Sequence, residues 1–313
     1  MTATIINEWF VLVNPTSGNG KGKRFWEKKI KNKLEESGLS FKWGYSQYEG
    51  HAIVCTVEAI KKGYRNFIVV GGDGTHNEIV NGILRQKIVD PLDITLATIP
   101  LGTGNDWIKT MRIPTNIDKA IDIIKNGKTY IHDTGLITYY NGKKKAQRYF
   151  LNVAGLGFDA YVAQRMTNTK KYGKLSYFIA LAGGLLGFKN IEVVLKSKTK
   201  KMTSKIFTVN VGIGKYFGSG MKITPNAIPN DGLFDITVIK DVTKLEVISE
   251  LGRLYKGTFV KHPKIEIFRT PNISIASDVP IYVQADGELL GHVPVNFEIV
   301  PQTLKVMVSQ SYN

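Results

Sequence analysis

Three times in the N-terminal part of the chain, an apolar strand-like segment runs into a loop of glycines and small polar residues. Trp9-Phe10-Val11-Leu12-Val13 leads into Asn14-Pro15-Thr16-Ser17-Gly18-Asn19-Gly20-Lys21-Gly22-Lys23. Phe67-Ile68-Val69-Val70 leads into Gly71-Gly72-Asp73-Gly74-Thr75, and Ile94–Ile99 into Pro100-Leu101-Gly102-Thr103-Gly104-Asn105-Asp106. A further strand pattern lies at Phe41–Tyr45. Helical spacing joins these segments: Trp26, Ile30 and Leu34 before Gly38, then Ile53, Val57 and Ile60 within His51–Lys62, a pattern beginning at Asn77-Glu78-Ile79-Val80, and Ile117–Lys125. Such alternation predicts a parallel sheet with helices on both faces. Ligands of these sheets bind beyond the carboxyl ends of the strands, where all three loops fall.

From about Thr129 the pattern changes. Asn141-Gly142 between Leu136–Tyr140 and Gln147–Val153 is a hairpin signal. Short strand patterns follow at Ile191–Leu195, Ile206–Val211, Phe234–Ile239, Ile265–Phe268, Ile281–Gln284 and Val295–Ile299. Helical patterns interrupt them at Asp159–Met166, Leu175–Phe188 and Lys244–Tyr255. The expectation is an α/β domain over residues 1–130, with 300–313 open as a completing segment, and an antiparallel β-sandwich over 131–299.

A chain of 313 residues, 43% of them hydrophobic, is long enough for two domains. One cysteine, Cys55, excludes an internal disulfide and a multi-cysteine zinc site, and fits a reducing cytoplasm. The five histidines lack ligand spacing, so a structural transition metal is not expected. No signal peptide is indicated at the N-terminus. The longest apolar run, Tyr177–Phe188, is too short to span a bilayer. A net charge of +16 suits an anionic partner. Nucleic acid is not expected, because no aromatic RNA-binding motif accompanies the lysines.

The loops carry the chemistry. Glycines in the second loop let the backbone approach a ligand, and the following helix directs unsatisfied N–H groups at the turn, a place for phosphate. Asp73 faces the same place. The first loop suits a phosphate cradle, yet it matches neither the Walker A pattern nor G-x-G-x-x-G, and a flexible basic loop is the plainer reading. The third loop supplies Thr103, Asn105 and Asp106. Asp73 and Asp106 together form a carboxylate pair fit for Mg²⁺, with a helix cap at Asp106 as the alternative. In the second domain, Asp286 and Glu288 share one side if the chain is extended there, and one can act as a general base. An Asp-Gly hairpin turn is the rival reading.

These residues carry a resemblance. Gly-Gly-Asp-Gly-Thr-x-Asn-Glu at 71–78, followed by Asn81-Gly82, resembles the diacylglycerol kinase catalytic-domain family, which includes sphingosine and ceramide kinases and small bacterial lipid kinases. So do Asn14-Pro15-x-Ser17-Gly18, Pro100-x-Gly102-Thr103-x-Asn105-Asp106, Asp286-Gly287-Glu288, and Pro225-x-Ala227 through Asp231-Gly232-Leu233-Phe234-Asp235. The resemblance implies a three-layer α/β domain like that of NAD kinase and phosphofructokinase, with ATP in an interdomain cleft. It places nucleotide contacts at Asn14, Pro15, Thr16, Ser17 and Gly18, at Gly72, Asp73, Gly74, Thr75, His76, Asn77 and Glu78, and at Ser46 and Thr103. The phosphate-binding lysine stays open between Lys21 and Lys23, since Asn19 stands where some relatives carry a basic residue. Asp286 and Glu288 would include the base, with Asp73 and Asp106 as further catalytic acids. The Asp231 region resembles a structural Mg²⁺ site, with Asp231 and the carbonyls of Ile228 and Leu233 as ligands.

The implied activity is Mg²⁺-dependent transfer from ATP to a lipid hydroxyl, most simply that of diacylglycerol, with phosphatidic acid as product. A long-chain alcohol and a sphingoid base are rival acceptors. An NAD kinase-like enzyme and a non-catalytic lipid-binding protein are the alternative functions. A protein kinase is not expected, because neither His-Arg-Asp nor Asp-Phe-Gly occurs. Lysines at 143–145 and at 196, 198, 200, 201 and 205 suggest peripheral docking on an anionic membrane surface. The run Tyr177–Phe188 is either an acyl-chain path or a core helix. A homodimer stays open.

Overall fold

The computed structural model describes residues 5–166 and 183–313. The expected helix Leu175–Phe188, and with it the run Tyr177–Phe188, lies largely outside the described residues; residues 183–187 are helical. The chain divides into two compact units, Met1–His132 with Gln302–Asn313, and Asp133–Pro301. Among the described residues no helix is long and apolar enough to cross a membrane.

The first unit holds β1 (Ile6–Val13), β2 (Phe41–Tyr45), β3 (Tyr64–Gly71) and β4 (Thr95–Pro100), all parallel, in the order β4-β3-β1-β2. After β1 come short helical turns α1 (Ser17–Gly20) and α2 (Gly22–Phe25), a wider-wound segment Trp26–Ile30, and α3 (Lys31–Glu36). The remaining helices are α4 (His51–Lys61), α5 (Asp73–Arg85), α6 (Asp106–Thr110) and α7 (Ile117–Asn126). Alternation along the strands divides the packing. Val11, Val13, Ile68, Val70 and Ile99 share one core with Trp26, Ile30, Leu34 and Ile124. Leu12, Phe67 and Val69, equally buried, point the other way, and α4 and α5 pack together beside β3. Helix α5 begins at Asp73, four residues before its periodic pattern becomes visible, because Gly72 is extended and takes the N-cap position.

The second unit contains β5 (Lys128–Asn141), which enters it from the first, then β6 (Lys144–Phe150), β7 (Val153–Gly157), α8 (Phe158–Met166) and β8 (Ile191–Ser197). There follow β9 (Lys201–Gly212), β10 (Phe234–Lys240), α9 (Lys244–Lys256), β11 (Ile265–Thr270), β12 (Asn272–Ala276), β13 (Tyr282–Ala285) and β14 (Glu288–Val308). The pairing within this unit is antiparallel. Two long strands, β9 and β14, each belong to two strand paths: one runs β9-β7-β13-β14 and the other β9-β8-β12-β14. Both paths enclose one core, built on Phe150, Leu156, Val209, Phe234, Ile275, Val283 and Phe297. The expected strand Gln147–Val153 is broken at Leu151-Asn152, whose N–H groups leave the ladder for the Asp286 carboxylate. The end of β14 returns to the first unit and pairs in parallel with β4, Lys305 beside Thr95 and Val306 beside Leu96.

Candidate active site

The three glycine loops of the first unit are tied to one another. Asn14 Nδ2 donates to Thr75 Oγ1 at 3.0 Å, and its Oδ1 accepts the Thr16 N–H and hydroxyl at 3.0 and 2.9 Å. The Ser17 hydroxyl closes on the Asn14 carbonyl at 2.8 Å. Leu101 N–H donates to the Gly71 carbonyl at 2.8 Å, and Thr103 Oγ1 to Asn19 Oδ1 at 3.1 Å. Backbones of the second and third loops touch: a Cβ on Gly102 would stand 2.7 Å from Gly72 Cα and 2.4 Å from Asn105 Oδ1. Asn14, Ser17, Gly18, Gly72, Asp73, Gly74, Thr75 and Thr103 therefore lie on one connected loop cluster at the carboxyl edge of the sheet. Lys21, at the far end of the first loop, is exposed.

Asp73 opens α5 and caps the start of another helix. Its carboxylate accepts the N–H of Asp106 at 3.0 and 3.2 Å and that of Trp107 at 3.3 Å, filling the donor end of α6. The Asp106 carboxylate takes Lys109 Nζ at 2.7 Å. A Cβ on Gly104 would stand 3.1 Å from Asp73 Oδ2 and 3.7 Å from Asp106 Oδ2, so a glycine leaves the space beside both oxygens open. In the same loop, Asn105 is buried, and its Oδ1 has no hydrogen-bond partner while its Nδ2 donates to the Gly102 carbonyl at 2.9 Å. The two carboxylates beside that space are hard oxygen donors of the kind that suits Mg²⁺. The described residues hold no cluster of three or more His, Cys, Asp or Glu placed for a metal. Further ligands to such an ion would come from phosphate and water.

Several residues of the second motif point into the fold. His76 is buried between the Gly72 carbonyl, 2.8 Å from Nδ1, and Thr98 Oγ1, 3.0 Å from Nε2. Burial pushes its pKa down to about 4, against the opposing effect of the Gly72 bond, so the ring is neutral and ties the start of α5 to β4. Asn77 is buried and accepts from Asn81 Nδ2 at 3.1 Å. The Glu78 carboxylate accepts the N–H of Gly50 at 2.9 Å and of Ala52 at 3.0 Å, across the start of α4. Ser46 is buried, with its N–H on the Val13 carbonyl at 3.0 Å.

In the second unit, the Asp286-Gly287 segment is a turn. Both residues have positive φ, +50° and +83°, between the paired Ala285 and Glu288, the backbone of a type I′ hairpin. The expectation that extension would put both carboxylates on one side is thereby corrected. Asp286 is buried, and its carboxylate accepts the N–H of Leu151 and of Asn152, each at 3.0 Å. Glu288 Oε2 pairs with Arg148 Nη2 at 2.6 Å. Gln284 supports the turn: Oε1 accepts the Gly287 N–H at 3.1 Å, and Nε2 donates to Asp159 Oδ2 at 3.0 Å. Thr208 Oγ1 donates to the other Asp159 oxygen at 2.9 Å. Burial raises the Asp159 pKa, and these hydrogen bonds work against that rise. Arg148, Asp159 and Gln284 were not foreseen, since each is joined to the turn only by tertiary contact.

The Asp231 turn is held by an ion pair and a backbone hydrogen bond. Arg269 forms an ion pair with Asp231 and donates Nε to Asp235 Oδ2 at 3.1 Å, so a guanidinium already neutralises the turn. Asp231 Oδ1 accepts the Leu233 N–H at 3.1 Å. Ile228 is exposed and Leu233 partly so.

Residues 8–137 match the family model described as the diacylglycerol kinase catalytic domain. Residues 152–308 match the YegS C-terminal NAD kinase beta sandwich-like domain. A protein named diacylglycerol kinase from Staphylococcus carnosus (strain TM300) is 28% identical over 298 residues, covering 95% of this chain and 93% of that one. One of the same name from Staphylococcus haemolyticus (strain JCSC1435) is 29% identical over 289 residues, 92% of this chain and 84% of that one. A crystal structure of a diacylglycerol kinase from Bacillus anthracis (strain Sterne) superposes with a TM-score of 0.72 at 22% identity and 98% coverage of both chains, which shows a shared fold.

Proposed function

Because the chain belongs to the diacylglycerol kinase catalytic-domain family, we propose that it transfers the γ-phosphoryl group of ATP to the hydroxyl of a lipid alcohol, with diacylglycerol as acceptor and phosphatidic acid as product. The observation that carries this reading is the bonding of the three glycine loops to one another, with the Asp73 carboxylate on the start of α6 and Gly104 leaving room beside Asp73 and Asp106. In this reading the first and second loops, with the N-terminus of α5, bind the phosphates through backbone N–H groups. Asp73 and Asp106 would hold Mg²⁺, which would supply positive charge to offset that of the transferring group. His76 and Glu78 act behind the loops, fixing β4 and α4.

Proton removal from the lipid hydroxyl falls to Asp286 or Glu288. Two backbone donors fix the orientation of the Asp286 carboxylate inside a rigid turn, which favours it as the base, and Arg148 holds Glu288 beside it. Gln284 and Asp159 hold the turn in place from behind.

The test is transfer of radiolabel from γ-labelled ATP, with Mg²⁺, to a panel of diacylglycerol, a long-chain alcohol, a sphingoid base and NAD. Diacylglycerol should be labelled at the highest kcat/KM. Asp73→Ala should lose turnover by at least about a hundredfold, with its circular dichroism spectrum unchanged. Near-normal labelling by that variant, or labelling of NAD alone, would sink the assignment.

A further inference from the structure

Helix α9 (Lys244–Lys256) is amphipathic with the usual arrangement reversed: no residue on it is fully buried, and its large apolar side chains face outward. Val247 and Leu254 lean on the core of the second unit. Leu245 is 79% exposed, Ile248 55%, Leu251 41% and Tyr255 39%. At about 100° per residue, these four fall within an arc of roughly 120°. Leu186, 74% exposed, adjoins the first turn of the helix, where Lys244 Nζ donates to its carbonyl. A contiguous patch of this kind marks a binding surface on a soluble fold.

The charges choose the partner. Lys244 and Lys256 lie in or beside the apolar arc, whereas both acids of the helix lie on its inner side and are engaged. Glu246 caps the helix through the Thr243 N–H and pairs with Lys264; Glu250 pairs with Arg253. Next to the first turn, a pocket of about 420 Å³ brings Phe188, Phe207 and Val242 together with Lys189, Lys205 and Lys244. Asp241, 3.9 Å from Lys205, is the acid lining it. Apolar side chains in one arc with cations at its margin are the pattern of a helix lying in a membrane interface. A second copy of a chain carrying +16 would set these lysines against their own kind.

We propose that α9 and Leu186 seat this protein on an anionic phospholipid bilayer, with Leu245, Ile248 and Leu186 entering the headgroup boundary and Lys244, Lys256 and Lys189 meeting lipid phosphates. The lysine hairpin at 143–145 is exposed as well, but presents no large apolar side chain to insert. The inference rests on the reading that the acceptor is a membrane lipid, yet its test is binding without turnover.

Co-sedimentation with phosphatidylcholine vesicles, with and without phosphatidylglycerol, tests it. The wild-type protein should bind the anionic vesicles preferentially. Leu245→Ser/Ile248→Ser should bind them at least tenfold more weakly, while turnover of detergent-dispersed diacylglycerol stays within twofold of wild type. Lys244→Glu/Lys256→Glu should lose the preference for anionic lipid. Leu245→Trp should be quenched by brominated phospholipid, a gain of signal that does not depend on the serine variant's integrity. The proposal is overturned if the serine variant binds as wild type does, if neutral vesicles bind equally well, or if sedimentation velocity shows a dimer that the serine variant abolishes. Vesicle binding through α9 by a protein that phosphorylates no lipid would refute the kinase reading and leave this one standing.

Discussion

Glutamate 78 belongs to the motif that the resemblance assigns to nucleotide contact, but its carboxylate is committed to the start of α4. Gly50, at the N-cap with φ +85°, has no side chain to cap the helix, and Glu78 supplies the acceptor from α5. Each hydrogen bond to an ionised carboxylate contributes about 1.5–3 kcal/mol, and placement at a helix N-terminus about 0.3–1 kcal/mol more. Glu78→Gln keeps one acceptor oxygen and turns an amide NH₂ toward the second N–H. The expected loss is one charged bond with the dipole interaction, about 2–4 kcal/mol. At about 2–4 °C per kcal/mol for a domain of this size, Tm should fall by roughly 5–15 °C. KM for ATP should stay within twofold, because the side chain serves the helix. Differential scanning fluorimetry and steady-state kinetics on one preparation measure both. A variant that melts within a degree of wild type and shows a tenfold higher KM for ATP would refute the capping argument.

Two more predictions come from the site. His76 has a folded pKa of about 4 against an ordinary value of 6.5, so the unfolded chain binds the proton first as pH falls. The stability is fully present above about pH 6.5 and is lost between there and pH 4, by about 3 kcal/mol in all. Urea unfolding across that range should show the slope, and His76→Gln should flatten it; an unchanged slope would mean that other groups carry it. Asp286→Asn should slow the chemical step in single-turnover kinetics by about 10²–10⁴-fold, and Glu288→Gln by less, with ATP binding unaltered in both. A loss confined to Glu288→Gln would transfer the base to that residue, and a few-fold effect in both would place it elsewhere.

Local pattern carried most of the architecture into view. The strands at Phe41–Tyr45 and Phe234–Lys240 and the helix from Ile117 follow directly from period and from aromatic or β-branched content. Strand β12 escaped because Asn272–Ala276 is short and follows Pro271. The length of β14 was hidden by Pro294 and Pro301, which read as breaks although the strand passes through both. Helix α6 spans five residues and shows no periodicity; what starts it is the Asp73 carboxylate, remote in sequence. The same limit applied to the site. Glycine motifs located the loops, because glycine's freedom is a local property. The partners of Glu78, Asp286 and Arg148 are set by tertiary contact and leave no local trace.

The return of β14 to the parallel sheet has a consequence for how the protein is made. Residues 1–132 emerge from the ribosome first, yet the sheet edge at β4 stays uncovered until Lys305 and Val306 arrive. At about 5–20 residues per second, that wait lasts roughly ten to thirty seconds. During it, the nascent N-terminal unit presents an open strand edge, a template on which another chain can pair. Synthesis order and folding order therefore diverge: the unit translated first is completed last.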